Sequence, residues 1–540
     1  MEYASATQST GQLIKKRWES MYASAGNWRS HWNECAKYVI PRKDDIYGGN
    51  VDGEKKGQTL YDTYAIHACE NTAAALHGML TNATMVWFGF TTGDKELDAD
   101  DAVQKYLQQL RMLINNTMNA SNFQTEVHEY YIDLLGFGTG VLNVEEDEDD
   151  IVRFRSAPIY DFSVQENHKG VIDVVYYKYQ LTLHQIVSKF GMALIKDNQS
   201  LKSKYKENPE QKMNIIHAVE PVSQHIAYHK ALSAFKFASF HILEENCAIL
   251  HSGGYHSNPF IVGRWTKLSG EQYGRGPAMK ALADIKMVNE MKKATIEAAQ
   301  LTISPPILVP DDGVMLPFKM KPRSVNFYRA GSKDEIKPLN TGVKVDVGEM
   351  LIEQTHKIID KAFFTDMLRL VENDRMTAAE VMQRRDEQLR TLSPISGRQH
   401  HEFLKPVIER VYDIHFRRNL LPTPPKVLLK RKIQVQYTSQ IVKAQMSAEG
   451  EQVSKAFQLV LPFLQVDPGI MDNFDLDKLA RFTANIYGMP HDILRDVTEV
   501  KAVRQGRAEA QQEQAQQQAA LNQSQVAMNM GKAGQSGQGQ

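Results

Sequence analysis

The sequence predicts an α+β fold, mainly helical, on three observations. Apolar residues recur at helical spacing through most of the 540 residues. From about 140 to 268 the pattern changes to short β-type runs. Two long helical stretches then flank "TISPPILVPDDGVMLPFKMKPRSVNFYRAGSKDEIKPLNTGVKV", a Pro- and Gly-rich segment that reads as a small β-containing module inserted between helices.

Each element follows in order. "LIKKRWESMYASAGNWRSHWNECAKYVIP" places apolar and aromatic residues near helical period and stops at Pro41. After the glycine-bearing loop "YGGNVDGEKKGQ", the alanines of "TYAIHACENTAAALHGMLTNAT" permit close helix packing. A further helical stretch closes on "GFGTG", which lacks a third glycine and a helix opening and reads as a turn. "GVLNVEEDEDDIVRFRSAPIYDFSV" predicts two short strands around an acidic turn, and "GVIDVVYYKYQLT" another strand. The run Glu145 to Asp150 lacks the alternating ligands and turn glycine of a calcium loop, so it reads as a solvated hairpin tip. "HIAYHKALSAFKFASFHILEENCAIL" and "FIVGRWTKL" are further β segments.

"GRGPAMKALADIKMVNEMKKATIEAAQ" has Pro277 near the first helical position and Met279, Leu282, Ile285 and Val288 along one stripe; this helix ends before Pro305-Pro306. "GEMLIEQTHKIIDKAFF" places Leu351, Ile352, Thr355, Ile358, Ile359 and Ala362 at helical spacing. Between it and a helix capped by Thr377 hangs a loop bearing Arg369 and Arg375. Glu380 completes the capping box, and Met376 with Val381 forms a staple. An ordinary connection with solvated arginines and a loop held for a partner both fit this stretch. A helix containing Pro406 should kink there, "LLPTPPK" ends it, and "KVLLKRKIQVQYTSQ" reads as a strand. More helices follow to about 505, and the Gln-rich tail is expected to be helical at first and then disordered.

Composition bounds the function. Lys plus Arg is 63 against 64 Asp plus Glu, so a net charge of -1 gives no global attraction to nucleic acid and any contact must be local. Cys35, Cys69 and Cys247 lie far apart without CxxC spacing; each reads as a small core residue, and neither a disulfide framework nor a zinc site is expected. No apolar signal core or run of the roughly 20 residues a membrane span needs is visible, so a soluble protein made and assembled in cytoplasm is expected. There is no phosphate loop, since Gly531-Lys532 is followed by Ala533, and no H-E-x-x-H or G-x-S-x-G. His400, His401 and Glu402 lie on a helix where adjacent histidines diverge, which marks them as structural or solvated. No enzyme, cofactor or metal is expected.

Three stretches together are more specific: "NTAAALHGMLTNATMVWFGF", "GEQYGRGPAMKALADIKMVNEMKKATIEAA" and "RMTAAEVMQRRDEQLRTLSPISGRQHHEFLKPVIERVYDI". In this order, with the inserted module between, they resemble the portal, or head-to-tail connector, of short-tailed (podovirus) bacteriophages, from about residue 10 to 500. Where many members carry a proline before the Trp-Phe pair, this chain has Ala83-Thr84 ahead of Trp87-Phe88.

The resemblance implies a portal fold assembling as a dodecameric ring around a central channel. Residues 1–276 would hold the N-terminal region and α/β wing, 277–301 and 347–365 the stem helices, and 302–346 the clip. Residues 366–376 would be the channel loop, 377–440 a long channel helix and return to the wing, 441–505 the crown and 506–540 the tail. It implies a place at one capsid vertex of the virion, with double-stranded DNA passing without sequence specificity. The implied partners are the terminase large subunit, tail adaptor and nozzle proteins, and major capsid and scaffolding proteins, with no membrane.

A ring repeats each side chain around its axis, so one arginine per subunit makes a collar, while a strongly basic lumen would hold DNA too tightly. Arg369, Arg375, Arg384 and Arg385 are the channel candidates. Arg384, Arg385 and Arg390 could instead pair with acids such as Asp386 and Glu387, and Lys292 and Lys293 carry the same ambiguity. Pro305, Pro306, Val309, Pro310 and Phe318 are clip candidates for partner docking or for packing between subunits. Two other classes compete: a nucleic-acid-processing enzyme with a diverged site, and a tail adaptor or scaffold without a channel.

Overall fold

The computed structural model describes residues 2–47, 53–98, 100–192, 199–224, 232–303, 307–308, 337–338, 345–365, 393–428, 433–437, 450, 452–460, 462, 474–486 and 497–535. The chain divides into two compact units, one of residues 1–89, 110–422 and 435–439, the other of 90–109, 423–434 and 440–540.

The first unit is built on two antiparallel sheets. Strands β1 (Thr139–Asp147), β2 (Ile151–Ala157), β3 (Phe162–Glu166), β4 (Ile172–Thr182), β5 (Lys212–Pro221), β6 (Phe237–Leu243), β7 (Ile249–Tyr255) and β8 (Phe260–Arg264) occupy the stretch expected to be β. They order as β2-β1-β8 and β3-β4-β5-β6-β7. The β1–β2 ladder pairs Asp147 with Ile151 at its tip, so the acidic run forms the hairpin end. The five-stranded sheet buries Val174, Tyr176, Ile216, Ala218, Phe240 and Ile242 against Ile14 and Trp18 of helix α1 (Glu2–Ser24). The alternation along the strands marks this one face; the other is buried too, since every residue of Phe237–Leu243 is buried.

Helix α4 (Phe123–Phe137) packs on the three-stranded sheet, and α2 (Gly26–Val39) and α3 (Tyr64–Leu80) pack on α4. Helix α5 (Leu183–Phe190) starts on a capping box, in which Thr182 and Gln185 each accept the other's backbone N–H. The turn before the Trp-Phe pair needs no proline, because the Asn82 carboxamide accepts both the N–H and the hydroxyl of Thr84, at 2.8 and 2.7 Å. An Asx turn thereby sets the bend. Cys35 and Cys69 are buried and Cys247 is half-buried; burial pushes the Cys35 thiol up to about 12 and Cys69 up as well.

The two long helices are α6 (Pro277–Ile303) and α7 (Val345–Phe363), packed against each other. Met279, Leu282, Ile285 and Val288 are all buried, as their stripe predicts. On α7 the expected set divides: Ile352, Thr355 and Ile359 are buried with Phe363, while Leu351 and Ile358 are 46% and 48% exposed. Of the intervening module, the described residues Ile307 and Leu308 pair antiparallel with Pro338 and Lys337.

At Pro406 the helix has a π turn, His400–Leu404, continuing into α8 (Lys405–Arg417). The Lys405 N–H reaches back five residues to the His400 carbonyl. Pro406 has no N–H for the carbonyl of Glu402, and the widened turn accommodates that gap.

In the second unit, Asp98 accepts from Thr92 N–H and Oγ1 at 2.8 and 2.7 Å, Arg481 of the helix Leu476–Ile486 pairs with Asp101 at 2.7 Å, and Arg504 forks onto Asp477 at 2.7 and 2.6 Å. A helix Val497–Gln535 continues through the Gln-rich tail, further than the expected disorder allows. Ala and Gln are good helix formers, so local propensity supports it.

Candidate functional site

The sequence candidates Arg369, Arg375, Arg384 and Arg385 lie outside the described residues, as do Thr377 and Arg390. The same holds for Pro305, Pro306, Val309, Pro310 and Phe318. What is described is the frame on both sides of residues 366–392, and it is closed by buried polar contacts.

The incoming side is α7 with its partner α6. A short stretch before α3 joins them. The Asn289 side chain on α6, 3% exposed, accepts from Tyr61 and Asp62 N–H at 2.8 and 3.3 Å and donates to the Thr59 carbonyl at 3.3 Å. Asp62 also lies 3.0 Å from His356 Nε2 on α7, and that imidazole stacks on Tyr64 with ring centres 4.0 Å apart. The Tyr64 hydroxyl donates to Asp360, and Thr72 of α3 donates to the Phe363 carbonyl at 3.0 Å. Residues 59–72 therefore hold the middle of α6 and the C-terminal half of α7. The chain then leaves α7 through Phe364 in the left-handed region, φ 62°, its ring 6.2 Å from buried Trp265. A bulky residue rarely adopts that conformation, so the exit direction is imposed by its surroundings.

The base of α6 is fixed by glycines. Gly138, φ 74°, approaches Gly274 and Gly276 so closely that a Cβ would stand 2.4 Å from Gly274 O and Gly276 N. Gly138 O accepts from Trp265 N–H at 2.9 Å, and Thr139 Oγ1 accepts from Gly274 N–H at 2.8 Å. The "GFGTG" turn is thus a backbone crossing under the start of α6.

The outgoing side, from residue 393, is clamped to β8. Gln399 is fully buried; it donates to the Arg264 carbonyl at 2.7 Å and accepts from the Tyr130 hydroxyl at 2.9 Å. Phe403 stacks on Tyr130 at 3.8 Å. Glu402 receives Arg264 Nε and Nη2 at 3.0 and 2.8 Å, and the Arg264 N–H at 3.1 Å. The same guanidinium binds Glu166, the Gln272 carbonyl at 3.1 Å and the Gly170 carbonyl at 3.3 Å, which engages all three of its nitrogens. Lys267 closes on Glu166 at 2.6 and 2.7 Å. Burial alone would lower the Arg264 pKa, but the bonds and charges of Glu402 and Glu166 outweigh it and raise it. Burial works to raise Glu166, yet Lys267 and Arg264 hold it below the ordinary carboxylate range.

Neither side of this frame was legible locally. Arg264 and Glu402 are separated by 138 positions and Asn289 and Tyr61 by 228, and short motifs carry no signal over such spans. Of the other sequence candidates, Lys293 directs its ammonium over the Tyr61 ring at 5.8 Å. Among the described residues no group of three or more His, Cys, Asp and Glu is disposed to hold a metal, and no helix is long and apolar enough to cross a membrane.

Comparison with known proteins adds an independent finding. A family described as "Bacteriophage head to tail connecting protein" matches residues 11–494. Over 527 residues the chain is 27% identical to the "Probable portal protein" of Bordetella phage BPP-1, covering 96% of this chain and 94% of that one. It is 24% identical over 508 residues to the "Portal protein" of Salmonella phage epsilon15, covering 92% and 90%. It is 23% identical over 461 residues to the "Portal protein" of Enterobacteria phage T3, covering 83% and 77%.

Proposed function

The chain belongs to the bacteriophage head to tail connecting protein family and acts as a phage portal; on that premise we propose that twelve copies close into a ring at one capsid vertex. Double-stranded DNA passes through its channel during packaging and ejection, without sequence specificity, because phosphate contacts carry no base information. The helix pair α6 and α7 forms the stem, residues 302–346 the clip, and 366–376 a channel loop carrying Arg369 and Arg375. The clip meets the terminase large subunit and later the tail adaptor and nozzle proteins, through Pro305, Pro306, Val309, Pro310 and Phe318. The capsid and scaffolding proteins enclose the ring's wing and crown. Arg384 and Arg385 line the channel beyond the loop. The ring itself hydrolyses no nucleotide.

The observation that supports the loop's role is the double clamp, with Thr72 and Asp62 on one side and Arg264 and Tyr130 on the other. Fixed ends start and finish the intervening stretch at the same two points in every subunit, which a collar of repeated charges requires.

Two measurements test the proposal. Electron microscopy of the purified protein, viewed down the particle axis, is expected to give closed rings with a central hole; folded monomers or open chains would overturn it. Arg369→Ala with Arg375→Ala is expected to leave rings intact and reduce packaged or retained DNA. Unchanged packaging in assembled particles would remove those arginines from the channel role.

A further inference from the structure

The two sheets of the first unit have four edges, and side chains close three of them. On β2 the Asn122 carboxamide accepts from Phe154 N–H at 2.9 Å and donates to the Phe154 carbonyl at 2.7 Å, and Glu126 accepts from Ser156 N–H at 2.6 Å. On β3 Arg29 donates to the Phe162 carbonyl at 3.3 Å, and the Tyr273 hydroxyl accepts from Val164 N–H at 3.4 Å. On β8 Asn258 accepts from Phe260 N–H at 3.0 Å, while Glu402 and Gln399 take the N–H and carbonyl of Arg264. These groups stand where a further strand would pair, which is how sheet edges are protected.

The fourth edge is β7. On an edge strand alternate residues turn their backbone groups outward. Counting across the ladders from the outward residues Phe162 and Val164 of β3, those of β7 are Ser252 and Gly254. Among the described residues neither takes a hydrogen bond beyond the ladder to β6. A strand seated there would pair with both, and its residue opposite Gly253 would project on the face that carries His251 and Tyr255, since opposed residues share a face. Gly253 puts no side chain of its own in that space.

On the same face lies a cavity of about 270 Å³, lined by His241, His251 and Tyr255 of the sheet and by Lys189 and Arg410 from helices α5 and α8. Arg410 is 1% exposed. Its Nε and Nη1 bond Val144 and Ser257, and Asp413 stands off at 3.6 Å from Nη1; Nη2 has no hydrogen-bond partner among the described residues. Lys189 is exposed and has no ion pair among them. The two acids on the cavity are engaged, Glu146 with Arg417 and Glu145 with the Asn143 carboxamide at 2.9 Å. The open groups are therefore donors.

We propose that β7 receives an extended strand from another polypeptide, whose carboxylate side chain opposite Gly253 enters this cavity and meets Arg410 and Lys189. Main-chain pairing supplies the affinity of such an added strand and the pocket its selectivity. A second copy of this chain does not fit: its other three edges are closed, and β7 against β7 centred on Gly253 sets glycine opposite glycine and leaves the cavity empty. This holds whether or not the copies close into a ring.

The test uses the full chain and three capped peptides, Thr-Val-Thr-X-Thr-Val-Thr with X as Glu, Gln or Lys. The Glu peptide is expected to bind about tenfold tighter than the Gln peptide by fluorescence anisotropy, as a charged hydrogen bond gives, with the Lys peptide weaker still. It should also slow hydrogen exchange at the Ser252 and Gly254 amides. Lys189→Ala should bring the Glu peptide down toward the Gln peptide and leave the latter unchanged. Ser252→Pro removes an outward N–H, a change an edge strand accepts, and should abolish binding of all three while keeping the thermal midpoint; if that variant does not fold, Lys189→Ala decides alone. No binding, equal binding of the three peptides, or Ser252 and Gly254 amides already protected in the protein alone would overturn the proposal. Dimers of the parent that Ser252→Pro dissolves would overturn it too, by giving the edge to a second copy.

Discussion

Arg264 and Glu402 meet fork to fork, with parallel hydrogen bonds of 3.0 and 2.8 Å joining the last residue of β8 to the π turn. The Arg264 side chain is 3% exposed and that of Glu402 19%. Removing one partner breaks the fork but leaves the other a second opposite charge, Glu166 for Arg264 and Arg398 for Glu402, so the cost expected is that of lost charged hydrogen bonds, about 1.5–3 kcal/mol. Glu402→Gln and Arg264→Lys are therefore both expected to lower the thermal midpoint, since lysine keeps the charge and loses the fork. A midpoint unchanged in either variant would show the clamp to be unimportant for stability. Glu166 adds a pH dependence. Its folded pKa lies below its unfolded value, so its stabilisation is complete above the ordinary carboxylate range and is lost as pH falls through the folded value.

Three histidines stand in one row across the five-stranded sheet, His217 opposite His241 and His241 opposite His251. The His217 and His241 rings stack at 3.8 Å, with Ser239 Oγ 2.9 Å from His217 Nε2 and the Tyr179 hydroxyl 3.0 Å from His241 Nδ1. Burial, then neighbouring positive charge, lowers His241 to about 3 and His217 well below its ordinary value. Both stay neutral in the fold while the unfolded chain takes up protons below the ordinary imidazole value. Stability should fall as pH drops from 7 toward 5, and His241→Phe should reduce that slope by an amount that grows toward one proton, or ~1.4 kcal/mol per pH unit, at the acid end of the range. Denaturant midpoints across this range measure it; an unchanged slope in the variant would contradict a neutral buried His241.

Asn289→Ala leaves the Tyr61 and Asp62 N–H groups without their acceptor and should cost about 2–3 kcal/mol. Hydrogen exchange is the more specific readout. Protection at residues 59–64 should drop in the variant, while protection in the five-stranded sheet stays as it was.

Gly138→Ala meets two obstacles, a left-handed backbone and a Cβ placed 2.4 Å from backbone atoms of the 274–276 turn. Backbone there cannot swing aside as a side chain would. A loss of about 3 kcal/mol or more is expected, read as a lower thermal midpoint or loss of soluble protein. Gly26→Ala, with open space at its Cβ, is the control and should be near neutral or slightly stabilising.

Much of the fold is written in short-range pattern. The stripe Met279, Leu282, Ile285 and Val288, the strands either side of Glu145–Asp150 and the start at Pro277 all follow from spacing and turn chemistry. The sequence misleads where two apolar residues flank a helix boundary between buried and exposed: Leu351 and Ile358 share the period of Ile352 and Ile359 but sit one residue round, on the bare side. Pro406 announces a disturbance, yet whether it bends a helix or widens a turn depends on what the freed carbonyl's neighbours hold. Glu402 looked like one more helix-surface acid because its partner arrives from β8, and no local rule brings Arg264 there. The loop arginines take their channel reading from the ordered series of three stretches, of which "RMTAAEVMQRRDEQLRTL" is one part.

The π turn at His400–Leu404 also sets an angle. One extra residue in a helix advances everything beyond it by about 100°. Gln399 before it and Glu402 within it grip Arg264, while Arg410 beyond it donates to the Val144 carbonyl at 3.3 Å and to Ser257 Oγ at 3.0 Å. Deleting a single residue there would leave the length of the helix almost unchanged and swing Arg410 off its acceptors, so this stretch behaves as a rotational key whose teeth fit only at one phase.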